Sequence, residues 1–196
     1  MSLRSVVQSL RAERAGQLAL DFSHQATPAR IVPFRRASRG RPESAEEWFD
    51  RGYTLDEELD TVPQARAAYE RALELDPDYV PALVNLGNLH YRQDRPVEAR
   101  ACYEHALRLE PGNAKARFNL GNLFDDQRDY QAARVLFRDA VALDPGFADA
   151  HFNLALTCEQ LGLVEEAQRH WQHYLALDPT GDWAAIAREH LPGVSR

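Results

Sequence analysis

An all-α array of stacked, antiparallel helix pairs is the fold this sequence predicts, and a 34-residue recurrence is the first reason. Pro77, Pro111, Pro145 and Pro179 fall on that step, each preceded by Asp or Glu, and Leu75, Leu109, Leu143 and Leu177 keep it two residues earlier. Ala65, Ala99, Ala133 and Ala167 recur with it, as do the aromatics Tyr69, Tyr103, Phe137 and Trp171. Leu86, Leu120 and Leu154 form a further series, each followed by a small residue, Gly87, Gly121 or Ala155. The second reason is spacing inside the unit: Ala99 and Tyr103 stand four apart, on one face of a helix. The third is composition. Of 196 residues, 44% are hydrophobic and 27% charged, a folded chain in which no apolar run is long enough to span a membrane.

Residues 1–43 form a basic arm and linker, with 8 Arg against 3 acidic residues; residues 44–196 carry 15 basic and 27 acidic residues, net -12. Within the arm, residues 2–12 predict a short helix with Leu3, Val6, Val7 and Leu10 inward. Leu18, Leu20 and Phe22 alternate as in a short strand, Ile31 to Phe34 is a second apolar patch, and Arg35 to Pro42 reads as a basic, turn-rich linker. No secretory signal is visible. The overall charge of -7 argues against a general nucleic-acid binder, although the arm alone could meet phosphates or an acidic surface, including its own body. Cys102 and Cys158 make no disulfide framework and fit a reducing, cytoplasmic setting.

The array occupies 44–179 as four units at about 45–79, 80–113, 114–147 and 148–181. Ser44 with Glu47 predicts a capping box at its start. In the first unit the interval from Gly52 to Ala65 is one residue longer than from Gly87 to Ala99, which places an extra residue in a turn at Glu58–Pro63. The second unit predicts helices over about 80–92 and 96–108 with a turn at Gln93 to Arg95, and the Pro that follows each second helix suits a stop and restart. Asp78 and Asn113 are candidate caps for the helices after them. Gly87 and Gly121 lie inside helical patterns, where Gly costs about 1 kcal/mol against Ala, so close packing by a partner helix is the expected compensation. Ala99 and Ala133 do the same from the other side, and the rings of Tyr103 and Phe137 fill the space between repeats. No pair buries its apolar stripe alone, so neighbouring units build the core. Residues 182–192, with Trp183, Ala184, Ile186, Ala187 and Leu191, predict one capping helix ended by Gly193.

These residues resemble the tetratricopeptide repeat (TPR) family. The second unit reads Leu86-Gly87, His90, Ala99, Tyr103, Ala106, Pro111; the third reads Leu120-Gly121, Phe124, Ala133, Phe137, Ala140, Pro145; in the fourth, Ala155, Cys158, Trp171 and Tyr174 stand in for commoner choices. The resemblance implies a right-handed superhelical solenoid whose first helices line a concave groove for an extended peptide or a partner's helix, and it implies binding and scaffolding rather than chemistry. A second resemblance links Gly16 to Phe22 and Ile31 to Phe34, with Ser44 to Phe49, to the segment that joins a MerR-like DNA-binding domain to TPRs in some bacterial proteins. This chain carries no helix-turn-helix part of its own.

Asn85, Asn119 and Asn153 recur on the first helices, just before the Leu of each unit, and Asn88 and Asn122 follow two residues after that Leu. Asn competes with helical backbone bonds, so its return wants a reason. A carboxamide donates and accepts, which suits clasping a peptide backbone; helices about 8–10 Å apart would meet an extended chain roughly every third residue. The alternative is that the same amides bond to neighbouring helices and hold the stack. Phe49, Val84, Phe118 and Phe152 precede those positions, as sockets at the groove margin or as packing between repeats. Asp56, Glu57, Asp125, Asp126 and Glu159 would make the rim acidic and favour a partner with basic character. The family's basic clamp for a terminal carboxylate is missing: Phe49 and Tyr53 stand where Lys and Asn are wanted, and only Lys115 and Arg117 are basic near the start of a groove helix.

Catalytic and metal readings are poor. His170 and His173 are three apart on one helix and His151 opens another, but spacing fixes no third metal ligand. His90 fills the slot of Phe124, and both cysteines read as small apolar residues. No phosphate loop, cofactor motif or nucleophile triad is present, so the sequence reads as a non-catalytic protein-interaction module without a cofactor. Its rival is a transcription-associated regulator whose arm meets nucleic acid or a DNA-binding partner, and whose binding would fade steeply with salt.

Overall fold

The computed structural model describes residues 43–56 and 61–191. The expectations for the arm, the MerR-like segment and the linker, for Glu57 and for the stop at Gly193 lie outside the described residues. Among those described there are nine helices and no strand. In chain order they are α1 (Ala45–Leu55), α2 (Val62–Leu75), α3 (Val80–Arg92), α4 (Pro96–Leu109), α5 (Ala114–Asp126), α6 (Tyr130–Leu143), α7 (Ala148–Gln160), α8 (Val164–Leu177) and α9 (Ala184–Glu189). The chain divides into two compact units that part after Ala99, within α4.

In the first unit, α1 packs on α2 and α2 on α3. The capping box is present: the Ser44 hydroxyl accepts from the Glu47 N–H, and the Glu47 carboxylate accepts from the Ser44 N–H at 2.9 Å. Val62 and Pro63 lie in the first turn of α2, not in the turn before it, because Pro at the start of a helix forfeits no hydrogen bond. Tyr79, not Asp78, stands at the N-cap of α3; the Asp78 N–H instead bonds the Asp76 carboxylate at 3.1 Å in the turn. Gly52 is buried where an added Cβ would come within 2.7 Å of the Tyr69 ring.

The second unit repeats the scheme, with α5 on α6, α6 on α7, α7 on α8, and α8 against α9. Asn113 caps α5 through a 2.9 Å bond from the Ala116 N–H, and Asp129 caps α6 through the Ala132 N–H. An added Cβ at Gly121 would lie 2.6 Å from Phe137. The ring therefore covers the glycine of its own pair and does not only fill the gap between repeats. The final helix is shorter than expected: α9 starts after Trp183, and Trp183, Ala184 and Ala187 are its buried face.

The turns within pairs share one device. Asp94, Arg128 and Gly162 all have positive φ, at 57, 63 and 71°, and they are 34 residues apart. After each, the next N–H reaches back to a carbonyl in the last turn, Arg95 to His90, Asp129 to Phe124 and Leu163 to Cys158, all at 2.9 Å. This left-handed stop closes the helix end with the orphan carbonyls satisfied. Gly has no steric penalty there, whereas Arg128 does. Arg128→Gly is expected to raise stability by about 1 kcal/mol, because relief of the side-chain clash exceeds the added entropy of the unfolded chain. Urea unfolding of the two proteins measures it, and a lower midpoint for the variant refutes it.

Candidate functional site

The periodic asparagines meet different fates. In the second unit, Asn153 of α7 donates from Nδ2 to Oδ1 of Asn122 on α5 at 2.8 Å. The buried Thr157 hydroxyl lies 2.8 Å from the Asn153 carbonyl and 3.2 Å from the Asp125 carboxylate, and its one proton serves either. Asn122, Asn153, Thr157 and Asp125 thus form a polar seam joining the first helices of consecutive pairs. Asn119 and Asn153 are buried, at 8% and 7% exposure, and Asn122 is half-buried. In the first unit Asn85 and Asn88 are half-buried, and Asn85 lies near the buried Tyr69 hydroxyl.

The aromatic positions also divide. Phe118 is buried, its ring 5.7 Å from Phe137 and 4.7 Å from Phe147; Phe152 is buried among Trp171, Tyr174 and Trp183 at 4.9 to 5.3 Å. Val84 is buried as well. All three are core side chains, and Phe118 and Phe152 are enclosed by the partner helix and by the loop or helix that follows. Of these positions the one on α1 differs: Phe49 is half-buried, 5.5 Å from Tyr79 and 6.1 Å from Tyr53, and Tyr53 is 44% exposed. Asp50, one residue after Phe49, has its carboxyl raised by partial burial and then by Glu46 and Glu47. The neighbouring Arg51 does not relieve it, since that guanidinium bonds Glu43 and covers the Trp48 ring at 4.1 Å.

Most of the expected acidic rim serves the fold. Asp56 is buried against Arg92, which donates to it, and the Tyr69 hydroxyl adjoins the pair. Asp125 is buried in the seam just described. Glu159 accepts from the Trp171 indole at 2.8 Å and lies 2.6 Å from the His190 ring, which ties α9 to the last pair. Asp126 is exposed. A carboxylate near a helix end reads as solvated in sequence, and only the arrival of Arg92, Thr157 or Trp171 from another helix reveals otherwise. The residues expected to pack, Gly52, Ala65, Tyr69, Leu86, Gly87, Ala99, Tyr103, Leu120, Gly121, Ala133, Phe137, Leu154, Ala167 and Trp171, are all buried.

One cluster escaped the spacing argument. His151 of α7 meets both His170 and His173 of α8: the Nδ1 atoms of His151 and His170 are 3.0 Å apart, and the His173 ring stacks on His151 at 5.1 Å. The 19-residue offset places His151 and His170 opposite each other on antiparallel helices, a signal readable only once the pairing is assumed. Among the described residues no group of three His, Cys, Asp or Glu side chains is arranged to hold a metal ion. Cys158 is buried, and burial followed by Glu166 pushes its thiol up to about 11, so it is a poor nucleophile.

Comparison with known proteins bears on the same residues. A tetratricopeptide repeat model matches residues 84–146 and 118–181, and a second TPR repeat model matches 61–94. No curated protein matches the chain by sequence. Among solved structures, YrrB, described as a TPR protein with an unusual peptide-binding site, is 24% identical over 75% of this chain and 74% of its own, with a TM-score of 0.63. The pilF protein of Pseudomonas aeruginosa is 22% identical over 74% of this chain and 67% of its own, with a TM-score of 0.67. The first TPR of Spaghetti (RPAP3), bound to an HSP90 peptide, is 23% identical over 57% of this chain and 91% of its own, with a TM-score of 0.54. At these identities the likeness is one of fold. The MerR-like resemblance is not borne out, since the matched families are repeats alone. Among the described residues no helix is long and apolar enough to cross a membrane. The 34-residue helix pairs, the glycine-and-ring packing within them and family models that together span residues 61–181 agree: the chain belongs to the tetratricopeptide repeat family.

Proposed function

We propose that this protein is a non-catalytic interaction module that holds an extended peptide or a partner's helix against its first helices. The observation that carries the reading is the recurrence of half-buried amides, Asn85 and Asn88 on α3 and Asn122 on α5, where helix propensity favours almost any other residue. Asn119 and Asn153 extend the series, with Asn153 also serving the stack through Asn122. The peptide described for the HSP90-bound TPR and the peptide-binding site described for YrrB belong to those proteins, and they favour the same use of the fold here. Basic partners suit the net -12 of residues 44–196 and the face of α1, where Asp50, Glu46 and the exposed Tyr53 ring offer a carboxylate and a π-surface to a Lys or Arg side chain.

Panning a random peptide library on the full chain tests this. Recovered sequences are expected to be rich in Lys and Arg. Asn122→Ala should weaken binding of a recovered peptide about five- to hundred-fold, the cost of one unpaired buried backbone group. Its melting temperature should fall little, since Ala offsets part of the lost bond to Asn153 through helix propensity. A collapse in melting with unchanged affinity of the folded fraction would assign the amides to the stack alone.

A further inference from the structure

The histidine cluster of the last helix pair has a defined proton pattern. The Pro145 carbonyl, 3.2 Å from His151 Nε2, can only accept, so that nitrogen carries the proton. In the neutral ring His151 Nδ1 is then an acceptor, and the nitrogen facing it at 3.0 Å, His170 Nδ1, must be the donor. The remaining site on His151 is filled by that bond. A proton added to His151 Nδ1 would force His170 to give up its own Nδ1 proton, and one added to His170 Nε2 would put a cation against the His151 ring; two cations would set N–H against N–H, on a His151 side chain only 5% exposed. The His173 ring stacks on the other ring of the pair, 5.1 Å from His151, and leaves that ring less room for water.

We propose that the buried pairing of His151 with His170 is an acid-sensitive latch that holds α7 most firmly on α8 while both rings are neutral, so that mild acidification loosens the last helix pair. The surrounding charges do not rescue the cations. Of the groups facing the cluster, Arg169 and His173 on α8 oppose a proton, while Asp144, before α7, and Glu166 on α8 favour one. Glu166 is already committed to Arg134 of α6, whose guanidinium is 2.6 Å away. Burial first, then the facing ring, holds His170 down to about 4, and burial also lowers His151. A histidine depressed in the fold contributes stability that is whole above its ordinary value near 6.5 and is lost as pH falls toward its folded value. The window is therefore pH 6.5 down to about 4. Buried Trp171 and Trp183 report directly on this end of the chain. The inference rests on packing and stands whether or not the amides bind peptide.

The test is urea unfolding of the full chain followed by tryptophan fluorescence at pH 7.5 and 5.5. The folded-to-unfolded ratio should fall about tenfold over that step from His170 alone. His170→Asn places an amide donor where Nδ1 stood and cannot titrate, so its loss should shrink to about threefold or less. His90→Phe is the control: His90 in the first unit is buried and lowered too, and Phe124 shows that a ring fits its slot; because Trp48 reports on that unit, this control is read by amide exchange, where it should leave the acid-induced loss of protection over residues 148–177 intact. A flat wild-type response, or a full tenfold loss in His170→Asn, overturns the latch. Should His170→Asn fail to fold, amide exchange of the wild type decides: residues 148–177 must lose protection on acidification ahead of residues 114–143, and a uniform or absent change overturns the proposal.

Discussion

Phe137→Ala is expected to cost about 3–5 kcal/mol of stability, enough to unfold much of the second unit at ambient temperature. Phe137 is fully buried, and its ring covers Gly121 on one side and meets Phe118 on the other. Both contacts depend on shape. Gly121 has no side chain with which to follow the ring inward, and Phe118 is held by Phe147 from the far side, so the cavity stays open. Chemical denaturation of the single variant measures the loss. A cost below about 1 kcal/mol would mean that α5 collapses onto α6 and that the glycine was not a fixed seat for the ring.

Arg92→Met is expected to cost about 3 kcal/mol through a different mechanism, the stranding of a buried carboxylate. Asp56 is 8% exposed, and burial already raises its carboxyl against the pull of Arg92, whose charge and hydrogen bond lower it. Remove the guanidinium and nothing on α3 opposes the desolvation, so Asp56 must take up a proton or draw water into the end of α1. Because its carboxyl is raised in the fold, the variant should recover stability as pH falls and Asp56 protonates. The double variant Asp56→Leu with Arg92→Met should regain most of the loss, since an apolar pair of similar volume pays no desolvation. Denaturation at pH 7 and pH 5 checks both points. Equal loss in the single and double variants would show that Arg92 matters for packing and not for charge.

The repeat, its helices and the packing positions were legible in the amino-acid sequence because each depends on neighbours three or four residues away or on one unit copied into the next. Val80–Arg92 and Pro96–Leu109 follow from apolar spacing and Pro placement, and Gly121 announced a close approach because a mid-helix glycine has no local justification. The capping box at Ser44 is equally local. Polar side chains were another matter. Asp56, Asp125 and Glu159 have the sequence environment of solvated residues, and their partners Arg92, Thr157 and Trp171 arrive from elements 12 to 36 residues away. Spacing leaves Phe118 and Phe152 open between groove sockets and packing, and Phe147 and Trp183, on the following connections, close over them. The meeting of His151 with His170 belongs to the same class. Periodicity tells which face of a helix is apolar, but a long polar side chain at the border of that face can turn toward either solvent or a neighbour. Only the position of the neighbouring helix decides whether water or a protein group receives it.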